Sequence, residues 1–203
     1  MIAEQYIPYQ YKGAKSETFY SVKSPDAESA ARLFESARAR LLDINHWHEV
    51  ADSKNYFQVV THTGEEVNRN VGKGDYIRIS LAAVPGSKAG DGYEWVEVVD
   101  LRDSPLHDPA YTIIQVRPSS PSFVQSAEVG HFFSAEASSN FCVERTGNKV
   151  TAAVYGRNES PNIKVSSIID KIRNFFVALG AMLGFNKPQW KSLVMGLLKK
   201  NLR

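Results

Sequence analysis

His46-Trp47-His48-Glu49 puts two imidazoles and a carboxylate into one short segment, side chains able to ligate a divalent metal. So short a segment does not fix a coordination geometry. A distant ligand, His62 or His131, would have to converge on it. The expectation is therefore no metal, with Trp47 packed and the two histidines flanking it at the surface. His131-Phe132-Phe133-Ser134, with Ser138 and Ser139 nearby, offers an imidazole and hydroxyls, but the Gly-x-Ser-x-Gly turn that exposes a nucleophilic serine is missing. Gly86-Ser87-Lys88-Ala89-Gly90-Asp91-Gly92 lacks phosphate-loop spacing and joins two strand-like runs instead of opening a helix. It reads as a hairpin loop, either plain or gating a cavity.

Charges set into apolar strand runs are the stronger signal. Glu94 and Glu97 interrupt Tyr93–Leu101, Arg117 ends Tyr111–Arg117, and Glu144, Arg145, Arg157 and Glu159 follow. Simple alternation puts Glu97 on one face with Tyr93, Trp95, Val99 and Leu101. If that face points inward, Glu97 is a buried carboxylate and needs a partner. Arg117 shares a face with Tyr111 and Ile113, and Arg145 with Phe141 and Val143. A Glu–Arg pair inside a cavity could orient a polar head group or move a proton. Pairing across neighbouring strands on a solvent face is the structural alternative.

The elements that must position these groups come in an informative order. Residues 1–13 form an aromatic-rich lead-in, and Lys15–Lys23 reads as a strand. Ser24-Pro25-Asp26 then signals a helix start, with a capping hydroxyl, proline at the first helical position and an acid in the first turn. Ala27, Ala30, Ala31, Phe34, Leu41 and Leu42 recur at helical spacing, and the helix should end near Leu42–Asn45. Five strand-like runs follow at Tyr56–His62, Asp75–Leu81, Tyr93–Leu101, Tyr111–Arg117 and Lys149–Gly156; His131–Arg145 adds one or two more. Hairpin spacing without intervening helices predicts an antiparallel meander. Ile163–Leu183 reads as a long helix, apolar over so wide an arc that more than one side must be buried. Gly184 ends it, and Asn186 and Pro188 restart a second helix over Lys187–Lys200, with Trp190, Leu193, Val194, Leu197 and Leu198 in one stripe.

Composition sets the outer bounds. The chain has 203 residues, 43% hydrophobic and 23% charged, as in an ordinary globular domain. Its single cysteine, Cys142, cannot form an internal disulfide, and a small core residue in a reduced, cytoplasmic setting fits. The start, MIAEQYIPYQYKG, carries acids and prolines with no apolar run, unlike a secretory signal. No stretch approaches the roughly 18 apolar residues of a membrane span. The net charge of +2 conceals a basic end, with Lys164, Lys171, Arg173, Lys187, Lys191, Lys199, Lys200 and Arg203 against Asp170 beyond Asn162. That end can be a solvated helix face, or it can meet an anionic membrane or acidic partner. The rest of the chain is acidic and shows no aromatic–basic surface motif, which argues against nucleic acid.

Strand, helix, six strands and a long terminal helix, with the aromatic Asn45-His46-Trp47-His48 segment after the first helix, resemble the helix-grip fold of the START and birch-pollen-allergen superfamily. The resemblance spans roughly Lys15 to Leu183. It implies an α+β domain in which a curved antiparallel sheet of about seven strands wraps the C-terminal helix around a cavity, here with an extra amphipathic helix. In these terms the whole chain is one domain: lead-in 1–13, helix-grip core 14–184 and extra helix 185–203. The resemblance further implies binding of a hydrophobic or amphipathic small molecule without a cofactor. A cyclase- or hydrolase-like reaction in the same cavity is the alternative, with no catalytic residue identifiable. Apolar walls are expected from Ile77, Ile79, Trp95, Val99, Ile113, Phe141, Ile172 and Phe176, with Glu97, Arg117 and Arg145 around a polar group. For the last helix, residues 187–203, three roles stay open: packing on the domain, peripheral membrane contact, or pairing with a second copy.

Overall fold

The computed structural model describes residues 1–82, 92–124, 133–160 and 189–199. Its strands are β1 (Ala14–Lys23), β2 (Tyr56–Val60), β3 (Tyr76–Ser80), β4 (Glu94–Ser104), β5 (Ala110–Pro118), β6 (Ser138–Thr146) and β7 (Lys149–Glu159). All pair antiparallel, in the order β1-β7-β6-β5-β4-β3-β2. The chain thus meanders from β2 to β7 and closes by laying β1 beside β7. The sheet is curved and the class is α+β, as the element order predicts. The described part of His131–Arg145 holds one strand, β6. The expected long helix, Ile163–Leu183, lies outside the described residues.

Helix α1 (Ala27–Leu42) begins two residues later than the Ser-Pro signal suggests. Asp26 is the cap: its backbone is extended and its carboxylate accepts from the Ser29 amide at 2.6 Å. A carboxylate there satisfies an otherwise orphaned amide and favours the positive end of the helix dipole. A 3-10 turn (Ile44–His46) and the short helix α2 (Trp47–Val50) follow. A third helix, α3, covers 189–197.

These helices bury one face of the sheet. Ala30, Leu33, Phe34, Ala37, Leu41 and Leu42 of α1, with Ile44, Trp47 and Val50, pack on Val59, Ile77, Val96, Val98, Ile114, Val116, Phe141, Val143, Val150, Ala152 and Val154. The same cluster holds Leu193, Val194, Leu197 and Leu198 of the chain end. Of the roles open to the last helix, packing on the domain is the one observed: the stripe read from the sequence lies in the core. Gly196 explains how closely it sits: an added Cβ would lie 1.8 Å from the Val50 carbonyl oxygen. Arg40 secures the end of this segment by donating to the Leu197 and Lys199 carbonyls at 2.9 and 2.5 Å. Those carbonyls close a helix that has no further turn to accept from.

The opposite, outer face is covered too, which the lead-in did not reveal as sequence. Residues Ile2–Tyr6 form a 3-10 turn, and Ala3 packs with Ile113, Cys142, Ala153 and Tyr155. The Ala3 amide donates to the buried Glu144 carboxylate at 2.8 Å. Burial raises the Cys142 thiol pKa strongly, so it is an inert core residue. Farther along, Asn158 takes a left-handed backbone (φ 56°) and is itself buried. Its side-chain oxygen accepts from the Tyr11 amide at 2.9 Å and its amide nitrogen donates to the Tyr9 carbonyl at 3.1 Å, pinning residues 9–11 to the end of β7.

One ion pair clamps α1 to the sheet. Arg38 donates to both carboxylate oxygens of Asp103, and Thr112 Oγ1 donates to the same carboxylate at 2.7 Å. The Arg38 hydrogen bonds, aided by Thr112, hold the Asp103 carboxyl below its ordinary 3.8 despite opposing burial. A depressed carboxyl stabilises the fold above the unfolded-state value and loses that contribution as pH falls through the native one. Arg38→Ala is expected to cost about 1–2 kcal/mol at neutral pH. The deficit relative to the parent should shrink below about pH 4. Urea titrations at several pH values check this, and a deficit independent of pH would contradict it.

Candidate functional site: the helix face of the sheet

A β-bulge decides which side chains of β4 face the helices. The ladder with β5 shifts between Val98 and Asp100, leaving Val99 as the extra, unpaired residue. Such an insertion reverses the alternation beyond it. Before the bulge the even residues face the helices, Val96 and Val98 joining the core cluster; after it the odd ones do, and Leu101 packs there. Simple alternation through 93–101 therefore fails, and Trp95 and Leu101 lie on opposite faces.

The consequences for the expected site are specific. Ile77, Ile79 and Phe141 lie on the helix face, Ile77 and Phe141 buried and Ile79 partly so. Trp95 lies on the outer face with Val60, Val124, Tyr76 and Tyr93. Its ring meets Phe123 edge-on at 5.6 Å, and Phe123 meets Tyr76 at 5.7 Å. Ile113 is on the outer face as well, under the lead-in. Glu97 stands between Tyr76 and Arg117 across the ladder, half-buried on the outer face, with Arg117 exposed. Burial raises the Tyr76 phenol and the Glu97 charge adds to this. Arg145 sits at the far end of the strands: it aligns with Ala110, seven residues along β5 from Arg117, or about 23 Å. There it donates to the Gly147 and His107 carbonyls at 3.3 and 3.2 Å and tethers two hairpin ends. Glu97 and Arg117 are thus cross-strand neighbours on the outer face, whereas Arg145 lies on the helix face between Ala110 and Val150, at the far end of the strands from both. Ile172 and Phe176 lie outside the described residues.

Ahead of the bulge, the β4 acid that faces the helices is Glu94. It aligns with Ile79, two residues before Val96, and is 4% exposed. Strict alternation selects Glu97 over Glu94 because it groups Glu97 with Tyr93, Trp95, Val99 and Leu101, a grouping that the bulge breaks. Val96, Val116 and the half-buried Trp190 were likewise missed; Trp190 packs edge-on against Phe141 at 5.2 Å. The helix-face wall so defined runs Ile79, Ile77, Val96, Val116, Phe141 and Trp190, with one carboxylate at its end. Such a wall can desolvate an apolar body and hold one donor or cationic group.

The His46–Glu49 segment does something else. Trp47 is buried, while His46 lies within 2.9 Å of Asp43, whose hydrogen bond raises the His46 pKa. His48 Nδ1–H donates to the Asn45 carbonyl at 3.0 Å and its ring lies 4.9 Å from Tyr56. Arg40, Asp43, His46, Glu49 and Val50 line a cleft of about 290 Å³. Among the described residues, no three His, Cys, Asp or Glu side chains gather as a metal site. Nor, among them, is any helix long and apolar enough to cross a membrane.

This sheet order, with helices between β1 and β2 and at 189–197, is that of a helix-grip fold. A hypothetical protein from Helicobacter pylori superposes with a TM-score of 0.51 at 12% identity, over 91% of this chain and 88% of that one. Norcoclaurine synthase from Thalictrum flavum, solved with dopamine and hydroxybenzaldehyde, gives 0.39 at 9% identity over 97% and 98%. Ginseng major latex-like protein 151 from Panax ginseng gives 0.37 at 12% over 86% and 99%. At these identities the likeness concerns the fold alone. No family model and no curated protein matches the chain.

Proposed function

We propose that the protein binds a hydrophobic or amphipathic small molecule against the helix face of its sheet. The observation that carries this reading is the apolar wall of Ile77, Ile79, Val96, Val116, Phe141 and Trp190 ending at the buried Glu94 carboxylate. Apolar side chains from several strands would supply affinity by desolvation, and Glu94 would select ligands carrying a donor or a cation. Binding without chemical change is the role these groups support: one buried carboxylate among aliphatic and aromatic side chains is a recognition set.

Titration with an apolar, environment-sensitive dye tests this. The expected result is saturable binding at micromolar concentration or tighter, competed by whatever lipid-like compound co-purifies and registers in native mass spectrometry. Ile79→Trp should weaken binding at least about tenfold, equivalent to ~1.4 kcal/mol, while leaving the unfolding midpoint nearly unchanged because Ile79 is only partly buried. Dye that fails to saturate, or binding indifferent to Ile79→Trp, would remove this face as the site.

A further inference from the structure

We propose that two copies of the chain join through β1, edge to edge, to form one continuous antiparallel sheet. This does not rest on the ligand reading. Among the described residues β1 pairs with a strand, β7, along one edge, and no strand lies along its other edge. An open edge carries unpaired amide and carbonyl groups and invites a further strand. Natural edges are commonly protected by prolines, bulges or inward charges. Here the ladder irregularity lies between Ala14 and Ser16, and Ser16–Lys23 runs in regular register against β7. Large side chains stand exposed on both faces of this stretch, Phe19 at 69% and Tyr20 at 39%.

Charge selects a second copy of the same strand as the occupant. A two-fold axis normal to the sheet pairs residues of like face, so it must pass through a residue. Through Phe19 it would set Lys15 against Lys23; through Thr18 or Ser21 it brings no opposite charges together. Through Tyr20 it sets Glu17 against Lys23 twice, Thr18 against Val22 and Phe19 against Ser21. Directly opposed charges of opposite sign favour that register and like charges disfavour the Phe19 one. Glu17 is arranged to accept this partner: Lys15 at 2.9 Å and Arg157 at 2.6 Å both use Oε1, and Oε2 remains for Lys23 of the second copy. The pairing is isologous and short, so the dimer should be concentration-dependent instead of obligate.

Sedimentation velocity across a concentration series tests the contact by charge reversal. The full chain should dimerise, and Glu17→Lys and Lys23→Glu should each weaken dimerisation at least tenfold. An equimolar mixture of the two variants should restore a dimer, since each then meets its opposite. A full chain that stays monomeric at millimolar concentration overturns the proposal, as does a mixture no tighter than either variant alone. Glu17 also pairs with Arg157, so a second readout avoids reliance on the folding of Glu17→Lys. Under mild oxidation Tyr20→Cys should give a covalent dimer, because axis-related Cα atoms across an antiparallel ladder lie about 4.5–5.5 Å apart, within disulfide range. Cys142 is buried and does not compete. Phe19→Cys faces Ser21 and should link far more slowly; equal linking at both positions, or none at Tyr20→Cys, overturns the register.

Discussion

Chains ending at Asn186 are expected to lose the cooperative unfolding transition altogether. Truncation removes Leu193, Val194, Leu197 and Leu198, which are 1%, 0%, 1% and 3% exposed in the main core. Removing one buried aliphatic side chain costs about 2–5 kcal/mol. Four such losses together match or exceed the roughly 5–15 kcal/mol that stabilises an ordinary domain. Arg40 would also keep its partly desolvated guanidinium while losing the Leu197 and Lys199 carbonyls. Near-ultraviolet circular dichroism and urea unfolding decide the matter: a truncated chain that melts at the parent midpoint would show that α3 is an appendage. Because the apolar stripe is already buried, the full chain should gain no binding to anionic vesicles through it. Vesicle binding that vanished on truncation of a still-stable domain would mean that the stripe serves the membrane instead.

Trp47→Ala is the most damaging single substitution expected, at about 3–5 kcal/mol. The indole is 2% exposed and joins three elements. Its ring lies 5.6 Å from Phe57 and 4.6 Å from Phe141, which in turn meets Trp190. Its Nε1–H donates to the carbonyls of Arg40 and Leu41 at 3.2 and 3.1 Å, satisfying the end of α1. The alanine leaves both a cavity and bare helix-terminal carbonyls. Trp47→Phe should restore much of the packing and retain a deficit of about 1 kcal/mol from the missing donor. A loss below about 1 kcal/mol for Trp47→Ala would place the indole outside the cooperative core.

Much of this was legible from residues alone because the signals were local. Gly and turn residues punctuated the strands, and Tyr76–Ser80 kept strict alternation, so strand number and antiparallel pairing followed. The packing of Trp47 could be read because an indole in that segment has few other uses, although of the flanking histidines His46 is exposed and His48 half-buried against Tyr56. The failures share one cause. Both faces of the sheet are covered, by the helices on one side and by residues 1–7 and the loop through Phe123 and Val124 on the other. Apolar residues therefore occupy both parities of β4, and hydrophobic alternation no longer identifies the inward set. The bulge at Val99 then reversed the phase halfway along the strand. That exchanged Glu97 for Glu94 as the inward acid.

By itself, then, the sequence determined the order and type of the strands and of the first helix, the antiparallel sheet, the absence of an internal disulfide and the apolar stripe of residues 190–198. Each depends on contacts within a few residues or on composition. Only the tertiary structure decided that this stripe fills the core, that the lead-in seals the outer face, and which charges meet. Those outcomes depend on contacts across more than 100 residues, such as Ala3 with Glu144 and Arg40 with Leu197. Local propensity carries no information about such contacts, because their geometry is set by how the completed sheet curves and where its register shifts fall.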